Sequence, residues 1–174
     1  MKPLYKSLQI RDEQQKDWAA VRTVNEAAFA TPAEANLVVA LREQAQPIIS
    51  LVAEIADTIV GHIMFSPVML NSHSELKIMG LAPMAVLPDY QHNGVGSALV
   101  RAGLAECQQL GYGAVVVLGH PEYYPRFGFT PAVRFGIDCE YDVPEEAFMA
   151  LELQTSYLSD AAGKIKYHQA FASL

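Results

Sequence analysis

The chain has 174 residues, about half of them hydrophobic, with 19 acidic against 12 basic side chains and a formal net charge of −7. That size and composition suit a single globular domain, 1–174, with a core of its own. An acidic balance with no Lys/Arg cluster argues against a dedicated nucleic-acid or anionic-membrane binder. It suits a cationic substrate such as an amine, and a solvated acidic surface explains it as well.

In chain order, Leu4–Ile10 has the alternation of a first strand. Asp12 offers an N-cap with Gln15 at the capping-box position, and Trp18, Val21, Val24 and Ala28 follow at helical spacing. Thr31-Pro32-Ala33-Glu34 marks a second helix start, with a cap, a proline at N1 and a glutamate at N3. Leu37, Val38 and Leu41 form its buried stripe, and Pro47 lies beyond its end. Ile48–Ala56 and Ile59–Leu70, joined by a turn at Asp57-Thr58, read as an antiparallel hairpin. The apolar run Leu76–Leu87 carries Gly80 and Pro83, which makes it a central strand with an irregularity near Leu81–Pro83.

Gly94–Leu110 is a helix with Val95, Ala98, Leu99, Ala102 and Ala105 on one face and Gly111 as its stop. Gly113–Gly119 is a short buried strand, followed by the Tyr/Pro-rich turn HPEYYPRFGF and further strands near Phe148–Gln154 and Ile165–Ala170. The order β-α-α-β-β-β-α-β-(α)-β implies one mixed α/β sheet with helices on both faces. No window approaches the ~18 apolar residues of a membrane helix. The start, MKPLYKSLQIRDEQ, lacks an apolar signal core, so a cytoplasmic location is expected. Cys107 and Cys139 form no C-x-x-C pair and suit buried thiols. Histidines 62, 73, 92, 120 and 168 fall in no metal-ligand spacing, so no metal is expected.

The chemistry concentrates at Gln91-His92-Asn93-Gly94-Val95-Gly96, between a strand ending at Val86 and the Ala/Leu-rich helix. Two glycines bring backbone close to a ligand, and the first helical turn presents unpaired N–H groups at the positive end of the dipole. Such a site suits a phosphate or pyrophosphate. It is not a dinucleotide fingerprint, because Leu99 stands at the third glycine position and no acidic residue ends the next strand. Nor is it a P-loop, since no Gly-Lys-Ser/Thr follows.

The segments LAPMAVLPDYQHNGVGSALVRAGL and VVVLGHPEYYPRFGF resemble the GCN5-related N-acetyltransferases (GNAT), in their YhbS-like bacterial branch. The strand and helix order fits that fold along nearly the whole chain. The resemblance implies an acetyl-CoA-dependent N-acetyltransferase. Its Q-x-x-G-x-G loop, Gln91, His92, Asn93, Gly94, Val95 and Gly96 with Ser97, would hold the CoA pyrophosphate. Met84, Ala85 and Val86 would bond the pantetheine arm through their backbone. Tyr124, four residues before Gly128-Phe129, would protonate the departing sulfur, with Tyr123 as its rival. The asparagine common upstream of this turn is replaced here by Gly119-His120-Pro121, and His120 is read as capping the turn. Glu26 and Phe29 fall in the region that shapes the acceptor side, and Glu34 is read as the capping partner of Thr31.

Thioester aminolysis needs a deprotonated amine, a stabilised oxyanion and a thiolate that leaves. Val86's backbone N–H is a candidate oxyanion donor. Neither cysteine sits in a catalytic motif, so direct attack in a ternary complex is expected rather than an acyl-cysteine route. The expected partners are acetyl-CoA and an amine-bearing small molecule or protein, with a homodimer of the chain as a further option. The alternative is a non-catalytic acyl-CoA sensor on the same fold.

Overall fold

The computed structural model describes residues 7–174. Among them the chain forms nine strands and three helices, in the order β1 (Leu8–Asp12), α1 (Trp18–Ala28), α2 (Ala33–Gln44), β2 (Ile49–Ile55), β3 (Thr58–Leu70), β4 (Ile78–Val86), α3 (Val95–Gln109), β5 (Ala114–Leu118), β6 (Thr130–Pro131), β7 (Ile137–Cys139), β8 (Phe148–Glu152) and β9 (Gly163–Lys166). Leu4–Lys6 of the expected first strand lie outside the described residues. The strand runs on to Asp12, which therefore caps nothing. A 3-10 turn at Gln15–Asp17 leads into α1 instead; Gln14 caps it, and Asp17 reaches back to accept from the Gln14 amide at 2.8 Å while ion-pairing with Arg11. Trp18 is 43% exposed and lies under the Arg42 guanidinium rather than in the core.

The sheet order is β1-β2-β3-β4-β5-β8-β6, with β9 pairing both β3 and β7. The β2–β3 hairpin turns on Ala56 and Asp57, both at positive φ, one residue earlier than the sequence suggested. That handedness matches the twist of the two strands. The helix expected after β5 is replaced by short 3-10 turns at Tyr124–Phe127 and Ala132–Phe135. Residues 167–170, expected to continue the last strand, lie beyond β9.

One irregularity governs the site. Between the pairs Phe65↔Leu81 and Ile63↔Met84, β4 advances three residues while β3 advances two. The extra residue falls at Ala82–Pro83, where proline has no N–H to give a ladder. Parallel pairing of β4 with β5 covers Ile78–Leu81 and stops there. Beyond the bulge, the Leu87 amide donates to Val60 of β3 at 2.8 Å. Strand alternation then turns the backbone groups of Met84 and Val86 toward the side that β5 has left.

Side-chain alternation along β2 and β3 separates two cores. Leu51, Ala53, Ile63 and Phe65 pack with α3, whereas Val52 and Met64 pack with Val21, Leu37, Val38 and Leu41 of α1 and α2. Helices therefore cover both faces. The buried line of α3 is Val95, Leu99, Gly103 and Cys107, and Ala105 is exposed. The helix is rotated from the expected face because a Cβ on Gly103 would stand 2.1 Å from the Phe65 ring. A third core fills the space among β7, β8 and β9. Cys107 is buried and Cys139 half-buried.

A polar chain crosses the α1/α2 side of the sheet. Asn25 Nδ2 lies 3.3 Å from His62 Nδ1, His62 Nε2 lies 2.9 Å from Ser50 Oγ, and Ser50 donates to Glu13, which Arg42 holds at 2.7 Å. Donation by Asn25 fixes the neutral Nε2–H tautomer of His62 and makes every step complementary. Burial, with help from the Arg42 charge, drives the His62 pKa down to about 3.

Candidate active site

A cleft of about 810 Å³ opens where β4 and β5 part, and it passes from the α3 side of the sheet to the α1/α2 side. At the α3 end stand Gln91, His92, Gly94, Gly96, Ser97, Tyr123 and Arg126. Leu81 to Val86 form one wall, Leu118, Gly119 and Tyr124 the other. Ala28, Phe29, Glu34 and Leu37 close the far end.

Gly94 caps α3 at φ 86°, a left-handed conformation that glycine adopts without strain. The Ala98 amide returns to the Gly94 carbonyl at 3.0 Å, so by helix geometry the amides of Val95, Gly96 and Ser97 precede the first intrahelical bond. A Cβ on Gly96 would come within 3.0 Å of the Tyr123 hydroxyl and 3.6 Å of Met84 Cε, so a bare backbone keeps the cleft mouth open. Gln91 spends its side-chain amide on the Val86 carbonyl at 2.9 Å, and Asn93 folds back onto the Gln91 carbonyl at 2.9 Å. These two side chains tie the loop to the strand end. Val95 points into the core.

The two tyrosines occupy different places. The Tyr123 hydroxyl meets Ser97 Oγ at 3.2 Å, and the Arg126 guanidinium lies 4.4 Å from the Tyr123 ring centroid. Tyr123 therefore belongs to the helix-terminus end, where Arg126 adds positive charge. The Tyr124 ring is packed edge-on against Tyr123 and Phe129, at 5.1 and 5.7 Å, with 7% of the residue exposed. Burial, then the neighbouring Tyr123, pushes its pKa up to about 12, so the hydroxyl keeps its proton at neutral pH.

The cleft thus gathers Met84, Ala85, Val86, Gln91, His92, Gly94, Gly96, Ser97, Tyr124 and Phe29, but not Asn93, Val95 or Glu26. Glu26 is exposed, pairs with Arg22 at 3.4 Å on the α1 surface and does not line the cleft. Glu34 is not the expected cap. The helix begins one residue late, Pro32 takes the cap position, and the Thr31 hydroxyl accepts from the Ala33 amide at 3.3 Å. Glu34 lines the cleft instead, as its only acidic side chain among the described residues. The His120 carbonyl accepts from the Tyr123 amide at 3.1 Å, and the residue also lines the cleft.

Sequence reasoning missed Gly119 and Arg126. A Cβ on Gly119 would lie 2.5 Å from Tyr124 Cε2, so this glycine is the floor on which the tyrosine ring rests. The signal was a glycine directly at a strand end, five residues before that tyrosine.

Comparison with known proteins agrees with this architecture. The family model described as an acetyltransferase (GNAT) domain matches residues 9–132. The uncharacterized N-acetyltransferase YjhQ of Escherichia coli K12 is 41% identical over 134 residues, covering 75% of this chain and 74% of that protein. The uncharacterized N-acetyltransferase YhbS of the same strain is 37% identical over 145 residues, covering 83% and 86%. A crystal structure of E. coli YhbS in complex with CoA superposes with a TM-score of 0.90 over 95% of this chain and 92% of its own, at 34% identity. A GNAT acetyltransferase from Brucella melitensis, solved with acetyl-CoA, gives 0.78 over 94% and 97%, at 35% identity. The chain belongs to the GNAT family of N-acetyltransferases.

Proposed function

We propose that the protein transfers the acetyl group of acetyl-CoA to a primary amine by direct attack in a ternary complex. The observation that carries this reading is the cleft that joins both faces of the sheet where β4 leaves β5. The α3 terminus would take the pyrophosphate on the amides of Val95, Gly96 and Ser97. The pantetheine arm would run along β4, bonding the backbone groups of Met84 and the Val86 amide as a strand would, while the Val86 carbonyl stays with Gln91. CoA-bound YhbS and acetyl-CoA-bound Brucella protein support that placement by their shared fold. The acceptor would enter from the α1/α2 side, past Phe29, so neither substrate blocks the other.

In the reaction the amine lone pair attacks the thioester carbonyl carbon. Negative charge gathers on the oxygen, where a strand amide can donate. The C–S bond then breaks and the Tyr124 hydroxyl donates to the sulfur as charge builds there. A hydroxyl at about 12 is a weaker acid than a cysteine-like thiol near 8.5, so complete transfer is uphill by roughly 5 kcal/mol. Tyr124 therefore acts mainly as a hydrogen-bond donor in the transition state, and the cationic nitrogen of the intermediate supplies the proton that balances the step. Incubation of the protein with acetyl-CoA and a panel of amines, followed by mass spectrometry of the acceptors, tests the assignment. Acetylated amine with matching CoA release is expected, and CoA binding without transfer to any amine would leave an acyl-CoA sensor instead.

A further inference from the structure

Two of the large apolar side chains left exposed among the described residues stand on the rim of the cleft: Leu118, at 42%, and Leu174, at 57%. They reach it from different elements. Along β5, Val115 and Val117 pack in the α3 core while Ala114 and Val116 turn to the other face. Alternation therefore puts Leu118, where β5 ends, on the α1/α2 side of the sheet. Leu174 follows a 3-10 turn, Gln169–Ser173, that is docked on α2. Phe171 anchors that turn, 6% exposed in the core of Leu37 and Leu41 and 5.1 Å from the Tyr167 ring. The His168 side chain accepts from the Ala170 amide at 3.0 Å, and the Leu174 amide donates to the Phe171 carbonyl at 3.2 Å. A strand end and a docked turn thus hold both leucines in place without burying them. One exposed leucine needs no explanation, but two on one rim, on the side that Phe29 and Leu37 close, make an apolar surface. Arg126, the cleft's one Lys/Arg side chain among the described residues, stands at the α3 end.

We infer that Leu118 and Leu174 set acceptor specificity, by packing against an apolar group that flanks the acceptor amine. This assignment rests on the acetyl-transfer reading above. The amine nitrogen must reach the thioester between β4 and β5, so the rest of the acceptor extends to the α1/α2 rim and lies over these two side chains. An apolar flank covers leucine surface that water otherwise hydrates, whereas a polar flank gives up hydration and finds no partner. Covering the remaining surface of each leucine corresponds to roughly 3- to 10-fold in kcat/KM. The same chemistry fits a small aliphatic amine or a peptide amino terminus whose first side chain is apolar.

The test compares n-hexylamine with the ether of equal length in which oxygen replaces one methylene, at saturating acetyl-CoA. Peptides beginning with leucine or with serine form a second pair, which tells a peptide acceptor from a small amine. Wild type should favour the apolar member of at least one pair. Leu118→Ser and Leu174→Ser should each lower that preference roughly 3- to 10-fold, by loss on the apolar member alone. Leu174→Met, which keeps an apolar surface, should keep the preference. The melting-temperature rise given by CoA should match wild type in all three variants, as the control for folding. Wild type that acetylates amines without preferring the apolar members, or variants that lose both members equally, overturns the assignment and leaves acetyl transfer standing. Wild type that binds CoA and acetylates no amine overturns the transfer reading and the assignment together.

Discussion

Placing a methyl group on Gly119 tests how the cleft positions its tyrosine. The new Cβ would stand 2.5 Å from Cε2 and 3.1 Å from Cδ2 of Tyr124, where ordinary contact begins at 3.4 Å. The ring cannot swing aside freely, because Tyr123, Phe127 and Phe129 surround it at centroid distances of 5.1, 6.3 and 5.7 Å. Overpacking of this kind costs about 1–3 kcal/mol. Loss of glycine freedom in the unfolded chain returns about 0.4–1 kcal/mol of that. With about 2–4 °C of melting temperature per kcal/mol in a domain this size, Gly119→Ala should melt lower by up to roughly 10 °C, about 4 °C at the middle of these ranges, by calorimetry. If the ring shifts by even part of the overlap, its hydroxyl leaves the place proposed for it beside the sulfur. The rate of acetyl transfer should then fall about as far as in Tyr124→Phe, with CoA affinity changed much less. A Gly119→Ala protein with wild-type melting temperature and wild-type kcat would refute both the packing argument and the role of the ring position.

Tyr124→Phe should lower kcat toward the low end of the roughly 10²–10³-fold range for a lost transition-state hydrogen-bond donor, and Tyr123→Phe far less; exchanged phenotypes would move the donor to Tyr123. Gly96→Val should abolish the melting-temperature rise given by CoA while the protein still folds, and a normal shift would place the phosphate site elsewhere. Gly94→Val is the poorer probe, because φ 86° strains any branched residue before a ligand arrives. Acid should destabilise the fold in two stages. His62, neutral when folded with a pKa of about 3 against about 6.5 when unfolded, loses stability from about pH 6.5 downward, by up to about 1.4 kcal/mol per pH unit. Asp17, held down to about 2 chiefly by its hydrogen bonds with Arg11, adds a loss between about pH 4 and 2. A melting temperature constant from pH 7 to pH 4 would contradict the neutral His62 network.

Much of the fold was legible because the signals were local. The hairpin around Ala56, the stripe Leu37, Val38 and Leu41, and the glycine stop of α3 all rest on near-neighbour chemistry. The irregularity at Leu81–Pro83 was visible as well, since proline cannot complete a ladder. Its consequence, the parting of β4 from β5, was not visible, because it depends on which strand lies alongside. Caps failed by small register errors. A strand two residues longer took Asp12 from α1, and a helix one residue later freed Glu34 to enter the cleft. Gly119 and Gly103 act through contacts with Tyr124 and Phe65, which no spacing rule encodes. Glu26 was chosen by its neighbourhood along the chain, and the helix turned it toward Arg22.

Initial-rate kinetics with acetyl-CoA and an alkylamine varied together test direct transfer in a two-ended cleft most directly. CoA release should depend on the amine, and the double-reciprocal lines should intersect, because both substrates must be bound before acetyl moves. Parallel lines with an acetylated protein intermediate, or CoA release indifferent to the amine, would contradict it.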